Sequence, residues 1–153
     1  MRWVRLTAVL LTLTALAIGS AATPGDKGEP KNGAPEIVIN ITGDGDMAKY
    51  IKEGDKDQLP VAVTVGQTVN WKNKGNKKHT ATSKLKVGDK PLFNTGTLKS
   101  GESKSITFNK KMFEDAGGTV GGQVNLDYIC LIHGEAKMKS SIILKSAEEK
   151  KGK

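Results

Sequence analysis

The chain has 153 residues and a formal net charge of +8, and its length suits a single domain. Its two arginines, Arg2 and Arg5, both stand at the N-terminus, so every other basic residue is Lys. Proteins that read nucleic acids usually rely on Arg for bidentate contacts to bases and phosphates. The composition therefore argues against a nucleic-acid partner.

The first 22 residues have the pattern of an export signal. Two arginines precede an apolar run over about residues 6–18, and small residues follow at 19–22. This order predicts a signal peptide over 1–22, cleaved after Ala21 or Ala22. The apolar run is short for a membrane span, which needs about 20 residues. We therefore expect a periplasmic or extracellular protein with no stable membrane insertion after cleavage; an uncleaved anchor is the alternative.

The remainder divides into three parts by composition. Residues 23–35 are rich in Pro, Gly and charge and predict a flexible linker, and residues 146–153 predict a disordered charged tail. Between them, residues 36–145 alternate apolar and polar positions, with turn residues between the runs. Short helical turns fit around residues 47–51 and 112–116. The candidate strands cover residues 36–42, 59–65, 67–72, 104–108, 124–130 and 138–144. Six or more short strands predict an all-β antiparallel sandwich or barrel.

The chemistry concentrates in one short segment near the end of this domain. Cys130 is the single cysteine, His133 is one of two histidines, and Met138 completes the spacing C-x2-H-x4-M. Two His and one Cys with a weak axial Met form the ligand set of a blue-copper electron-transfer centre. His79 is the second histidine and would come from a separate loop. Cys130 should end one strand, His133 should lie in the loop, and Met138 should open the next strand.

A lone cysteine can also serve in roles that involve no metal. In an exported chain it cannot form an internal disulfide, so it is an intermolecular link, a reactive thiol, a metal ligand or a buried inert side chain.

The sequence resembles the plastocyanin/pseudoazurin branch of the cupredoxins over about residues 36–144. The Tyr-x-Cys-x-x-His segment that begins at Tyr128 carries the resemblance, with the Met five residues after the His. An upstream segment at residues 65–73, followed by His79-Thr80, also matches, and so does a strand and turn at residues 93–103. The resemblance implies a cupredoxin-like antiparallel Greek-key β-sandwich. It also implies one type 1 copper ion held by His79, Cys130, His133 and Met138.

Three features depart from the usual pattern of these proteins. Glu135 places a carboxylate in the ligand loop, so a carboxylate-ligated variant is an open alternative. Lys78 places a positive charge just before the first ligand. An insertion over residues 111–123 precedes the Tyr-x-Cys strand and changes the nearby surface.

The resemblance implies an exported one-electron carrier that cycles between Cu(I) and Cu(II). A copper enzyme is disfavoured, because it needs further His-rich copper centres and this chain has two histidines in all. A periplasmic copper-storage protein or chaperone with a cupredoxin fold is the principal alternative. A zinc site and a fold without metal are two others, although the Irving–Williams order favours copper.

Partners are expected to be redox proteins that bind a monomer. Loss of Arg2 and Arg5 lowers the formal charge from +8 to +6, all of it from Lys. The excess either keeps the surface soluble or attracts acidic partners. Leu131 and Ile132 either pack within the loop or form an apolar rim where a partner docks beside His133.

Overall fold

The structure is a computed structural model that describes residues 35–147. The predicted signal peptide at 1–22, and nearly all of the predicted linker and tail, lie outside the described residues. No helix in the described part of the chain is long and apolar enough to cross a membrane.

Two four-stranded sheets enclose one hydrophobic core and confirm the all-β, cupredoxin-like sandwich. The first sheet has the order β2-β1-β4-β8 and the second has the order β3-β10-β9-β5; β6 and β7 form a separate hairpin. The strands are β1 (Ile37–Thr42), β2 (Lys49–Lys52), β3 (Val61–Thr64), β4 (Thr68–Asn73), β5 (Thr82–Ser83), β6 (Lys86–Val87), β7 (Lys90–Pro91), β8 (Ser103–Thr107), β9 (Gln123–Ile129) and β10 (Lys139–Lys145).

The sheets are mixed, whereas the sequence predicts antiparallel pairing throughout. β1 pairs with β4 in parallel, and β3 pairs with β10 in parallel. Each parallel pair joins strands that are distant in the chain, with other elements between them. Parallel neighbours need such long crossover connections, because a tight hairpin can join only antiparallel strands.

Each of the six candidate segments contains a strand. The two segments for which the sequence allows a short helical turn have different structures. Residues 43–57 hold a 3-10 turn at Gly45–Met47 and then the strand β2, which the sequence pattern does not separate from a helical turn. Only Tyr50 of β2 is fully buried, so its apolar signal is weak. The predicted turn at 112–116 is the helix α1 (Lys110–Asp115), which Asn109 caps by accepting a hydrogen bond from the Met112 N–H at 2.9 Å.

Aromatic side chains dominate the core. Trp71 is fully buried and stacks on Phe93 with ring centroids 5.5 Å apart. It also meets Phe108 at 6.3 Å and the edge of Tyr128 at 5.9 Å. Large buried aromatic rings contribute much of the apolar area of a small core. Trp71 therefore has a packing role, as its alternation with Val69 predicts.

The sandwich has two ends of different character. At one end, which we call the Cys130 end, β9 runs into Cys130 and β10 leaves after Met138, and the loops after β1 and β4 lie beside them. At the other, which we call the helix end, α1 and the glycine-rich residues 117–122 lie beside the turn at 65–67.

Candidate metal centre

The loop between β9 and β10 is closed by its own backbone. The Gly134 N–H donates to the Cys130 carbonyl at 2.8 Å, and the Met138 N–H donates to the Gly134 carbonyl at 3.0 Å. The Cys130 N–H in turn donates to the Met138 carbonyl at 3.1 Å. Gly134 has φ +77°, a left-handed conformation that favours glycine. This compact turn pairs the backbone of Met138 with that of Cys130 and places His133 between them in the loop.

His79 is fixed by backbone pairing with Leu98. The His79 N–H donates to the Leu98 carbonyl at 3.0 Å, and the Leu98 N–H donates back to the His79 carbonyl at 2.8 Å. Asn73, which ends β4, is fully buried, and its amide donates to the carbonyls of Lys77 at 2.7 Å and Leu98 at 3.0 Å. Its Oδ1 accepts from the Gly75 N–H at 2.9 Å. Asn73 thus orders the loop that leads into His79.

Asp44 supports the same loop from the neighbouring strand connection. Its Oδ1 accepts from the backbone N–H groups of Asn76 at 2.8 Å and Lys77 at 3.2 Å. These bonds, led by the one from Asn76, hold the pKa of the Asp44 carboxyl below its ordinary value.

Three of the four predicted ligands form one cluster. The donor atoms of His79, Cys130 and His133 all lie within 4.8 Å of one another. The Cys130 Sγ atom is 3.3 Å from His133 Nδ1 and 4.0 Å from His79 Nδ1. The two imidazole rings are 4.7 Å apart between centroids.

These separations fit a single metal ion. With metal–sulfur and metal–nitrogen bonds of about 2.3 Å and 2.0 Å, sulfur and nitrogen in a trigonal site are about 3.7 Å apart. The two observed Sγ–Nδ1 distances, 3.3 and 4.0 Å, fall on either side of that value. The side chain of Met138 is buried.

The protein environment favours the metal-binding form of His79. Burial lowers the pKa of His79, and the neighbouring His133 lowers it further. A low pKa keeps the imidazole neutral, which is the form that binds metals. Nδ1 faces the sulfur, while Nε2 is buried and makes no hydrogen bond within the described part of the chain.

Thr80 connects the two ligand loops; the sequence pattern His79-Thr80 includes it but gives it no role. Its N–H donates to the Cys130 sulfur at 3.4 Å, and its Oγ1 accepts from the Leu131 N–H at 2.9 Å. Tyr50, from β2, donates its hydroxyl proton to the Thr80 carbonyl. Burial, followed by the neighbouring Cys130, raises the pKa of Tyr50, so that the hydroxyl keeps the proton it donates. No local pattern could reveal this contact, because 30 residues separate its partners.

Glu135 is directed to a different partner. Its Oε1 lies 2.6 Å from Lys84 Nζ on the protein surface. Among the described residues, the His–Cys–His cluster does not include its carboxylate.

Two exposed apolar side chains lie in the ligand loop, between Cys130 and His133. His133 is half-buried, whereas His79 and Cys130 are buried. Leu131 and Ile132 expose 59% and 50% of their surfaces, so neither is consumed by packing within the loop. His133 is therefore the most exposed of the four predicted ligands.

Comparison with protein-family models and with curated proteins gives no match. Solved structures of amicyanin variants are similar in fold. One Cu(I) form has 21% sequence identity and a TM-score of 0.51 over 76% of this chain and 89% of that one. A reduced Cu(I) form at pH 4 has 21% identity and a TM-score of 0.51 over 75% and 87%. A further reduced form has 21% identity and a TM-score of 0.50 over 72% and 82%. The chain is thus a cupredoxin-like protein in its fold, with a His–Cys–His group at one end of the sandwich that could hold a metal ion.

Proposed function

We propose that this protein is a type 1 copper electron carrier. The observation that carries the proposal is the cluster of His79, Cys130 and His133, whose donor atoms lie within 4.8 Å of one another at the end of a β-sandwich. Similar solved structures are described as Cu(I) forms of amicyanin, which supports copper as the metal.

Each residue has a distinct role in this proposal. Cys130 supplies a soft thiolate, and His79 and His133 supply imidazole nitrogens, which together favour copper. Met138 would supply a weak thioether ligand that tunes the site. Bound copper would supply a one-electron couple between Cu(I) and Cu(II). Thr80, by donating to the Cys130 sulfur, stabilises its negative charge and adjusts the reduction potential.

The hydrogen-bonded loops favour electron transfer over substrate chemistry. His79 is held by Leu98 and Asn73, and the Cys130 loop is closed by three backbone bonds. Donors in fixed positions change little between oxidation states, which lowers the barrier to electron transfer. A storage protein or chaperone, in contrast, gains from exposed donors that release metal readily, and both His79 and Cys130 are buried.

The partner would be a redox protein with an acidic surface. Leu131 and Ile132 border the half-buried His133 and would allow close approach. The Lys excess of the chain would steer encounter with negative surfaces. We further propose that the protein is exported by residues 1–22 and acts as a monomer in the periplasm or outside the cell. The arginines and apolar run of that segment support export.

Copper loading of the purified protein tests the proposal. We expect one copper per chain and intense visible absorption from the Cys130 thiolate when the sample is oxidised. Cys130→Ser should abolish the band, because a hydroxyl is a poor ligand for this site. Met138→Leu should keep the colour and raise the potential. A copper-loaded wild-type sample without a thiolate band would refute the proposal.

A further inference from the structure

One side-chain contact joins the two ligand-bearing segments at the protein surface. Lys84 directly follows β5, five residues after His79, and Glu135 lies in the ligand loop two residues after His133. The Lys84 Nζ atom is 2.6 Å from Glu135 Oε1. The Lys84 backbone N–H also donates to the Asp127 carbonyl on β9 at 2.9 Å. The lysine is thus anchored to the second sheet while its side chain reaches the loop.

Charges of alternating sign surround this pair. Two acidic and two basic side chains, Asp127, Glu135, Lys84 and Lys139, line the same shallow groove. The Glu135 carboxylate is therefore paired with a cation that is itself anchored to the second sheet.

Stability does not explain the pair. The side chains of Lys84 and Glu135 are 41% and 48% exposed, and exposed ion pairs typically contribute under about 1 kcal/mol. The position of the pair at the ligand loop is more informative than its contribution to stability. Glu135 is the single carboxylate between Cys130 and Met138, and a carboxylate is a harder ligand than the thioether of Met138. Left unrestrained, it would compete for a bound oxidised metal ion.

We propose that Lys84 is a positioning residue that holds the Glu135 carboxylate on the outer face of the second sheet, away from the His79–Cys130–His133 group. The inference rests on the proposed copper site. Lys84 would thereby preserve a donor set of nitrogen and sulfur, to which Met138 would contribute its thioether. It also restrains the exposed part of the ligand loop.

A double-mutant cycle tests this role on the copper-loaded protein. Lys84→Gln should lower the reduction potential and shift the thiolate absorption, because the freed carboxylate stabilises the oxidised ion. Adding Glu135→Gln should remove the spectral shift and most of the loss of potential. Lys84→Arg should behave as the wild type, because it keeps the ion pair. Glu135→Gln alone should change the potential little, because the carboxylate of the wild type is held away from the site. Two simple charge changes would instead add, so that Glu135→Gln alone would raise the potential by as much as Lys84→Gln lowers it.

Lys111→Gln is the matched control. Lys111 forms a comparable surface pair with Asp115 at 2.7 Å, but on α1 at the helix end. A Lys84→Gln protein that matches this control in spectrum and potential would overturn the inference. So would a double variant as perturbed as Lys84→Gln alone.

A measurement without metal separates this inference from the proposed function. In the apo-protein, amide hydrogen exchange at residues 134–137 should be up to about fivefold faster in Lys84→Gln than in Lys111→Gln. Unchanged exchange would exclude the restraint on the loop. A wild-type sample that shows no thiolate band with copper refutes the proposed function. A normal band with no effect of Lys84→Gln refutes the positioning role alone.

Discussion

The two ends of the sandwich differ in the burial and hydrogen bonding of their polar side chains. At the Cys130 end, Asn73 and His79 are fully buried, and the Asn73 side chain bonds to three backbone groups. At the helix end, the described polar contacts are mostly on the surface, such as Lys111 with Asp115, and Val120 exposes 75% of its surface.

The difference shows that the loops at the Cys130 end are held in place by buried hydrogen bonds, unlike those at the helix end. A buried polar side chain that makes its hydrogen bonds, as Asn73 does, is costly to remove. Such groups specify one loop conformation where donor atoms must converge. The helix end only closes the sandwich, for which a capped helix and a glycine-rich loop suffice.

The largest effect of this contrast should appear at Asn73. Asn73→Ala removes three hydrogen bonds to backbone groups, two of them buried, and we expect a loss of about 3 kcal/mol in the free energy of unfolding. Asn109→Ala removes the cap of α1 at the helix end and should cost about 1 kcal/mol. Urea unfolding of the apo-proteins measures both. Equal losses would contradict the contrast between the ends.

Two glycines, one at each end of the sandwich, allow the rigidity of the two ends to be compared. A Cβ at Gly75 would stand 2.5 Å from the Gly43 carbonyl oxygen, which is backbone and cannot move alone. A Cβ at Gly118 would meet the Phe113 ring at 2.5 Å, and a ring can shift. Gly75→Ala should therefore cost about 2 kcal/mol and Gly118→Ala about 1 kcal/mol. Thermal unfolding of both variants checks the order, and the reverse order would show that the helix end is the more rigid.

Exposed apolar residues extend the comparison to the surface. Ile132→Ser should slow electron exchange with an acidic redox partner by up to roughly tenfold, equivalent to about 1.4 kcal/mol in the encounter complex. Val120→Ser at the helix end should leave the rate unchanged. Stopped-flow kinetics of the copper-loaded proteins would measure this. A similar loss of rate in Ile132→Ser and Val120→Ser would contradict the proposed docking surface.

The rate of electron exchange should also fall as salt rises, since the Debye length shrinks from about 30 Å at 0.01 M to about 10 Å at 0.1 M. A rate independent of salt would contradict electrostatic steering of the partner.

The smallest expected effect is the acid dependence contributed by Asp44. Its pKa is lower in the folded protein, so the unfolded chain binds more protons when the pH falls below about 4. Asp44 therefore stabilises the apo-protein above that pH, and this contribution disappears in acid. Asp44→Asn should flatten the dependence of unfolding free energy on pH in this range. An unchanged slope would mean that the bonds to Asn76 and Lys77 do not persist in solution.

Much of the fold could be predicted from the sequence because its signals are local. The alternation of Val69 and Trp71 predicts a buried strand face, and both residues are fully buried. The chain order of His79 and the Cys130 segment likewise predicts two converging loops, and the structure brings His79, Cys130 and His133 together. The assignment of these residues and Met138 as ligands stays a prediction.

The supporting contacts could not be predicted, because each joins distant parts of the chain. Tyr50 reaches Thr80, Asp44 reaches Asn76, and Lys84 reaches Glu135. Pairings of this kind depend on which strands become neighbours. The parallel pairing of β1 with β4 has the same origin, since two intervening strands separate them in the chain.

The parallel pairing of β3 with β10 also bears on the order of folding. The antiparallel β9–β10 hairpin pairs seven residues on each strand and closes over a short loop, so it can form within microseconds. Pairing β10 with β3 must close a far longer loop, which makes it slow. The segment that carries His79 joins the second sheet only when β5 pairs with β9, which also closes a long loop. The loop from Cys130 to Met138 should therefore form while His79 is still distant and the thiol is open to solvent. A metal ion captured at that stage would bind the partly folded chain as well, and the stability it confers on the finished fold would be correspondingly smaller.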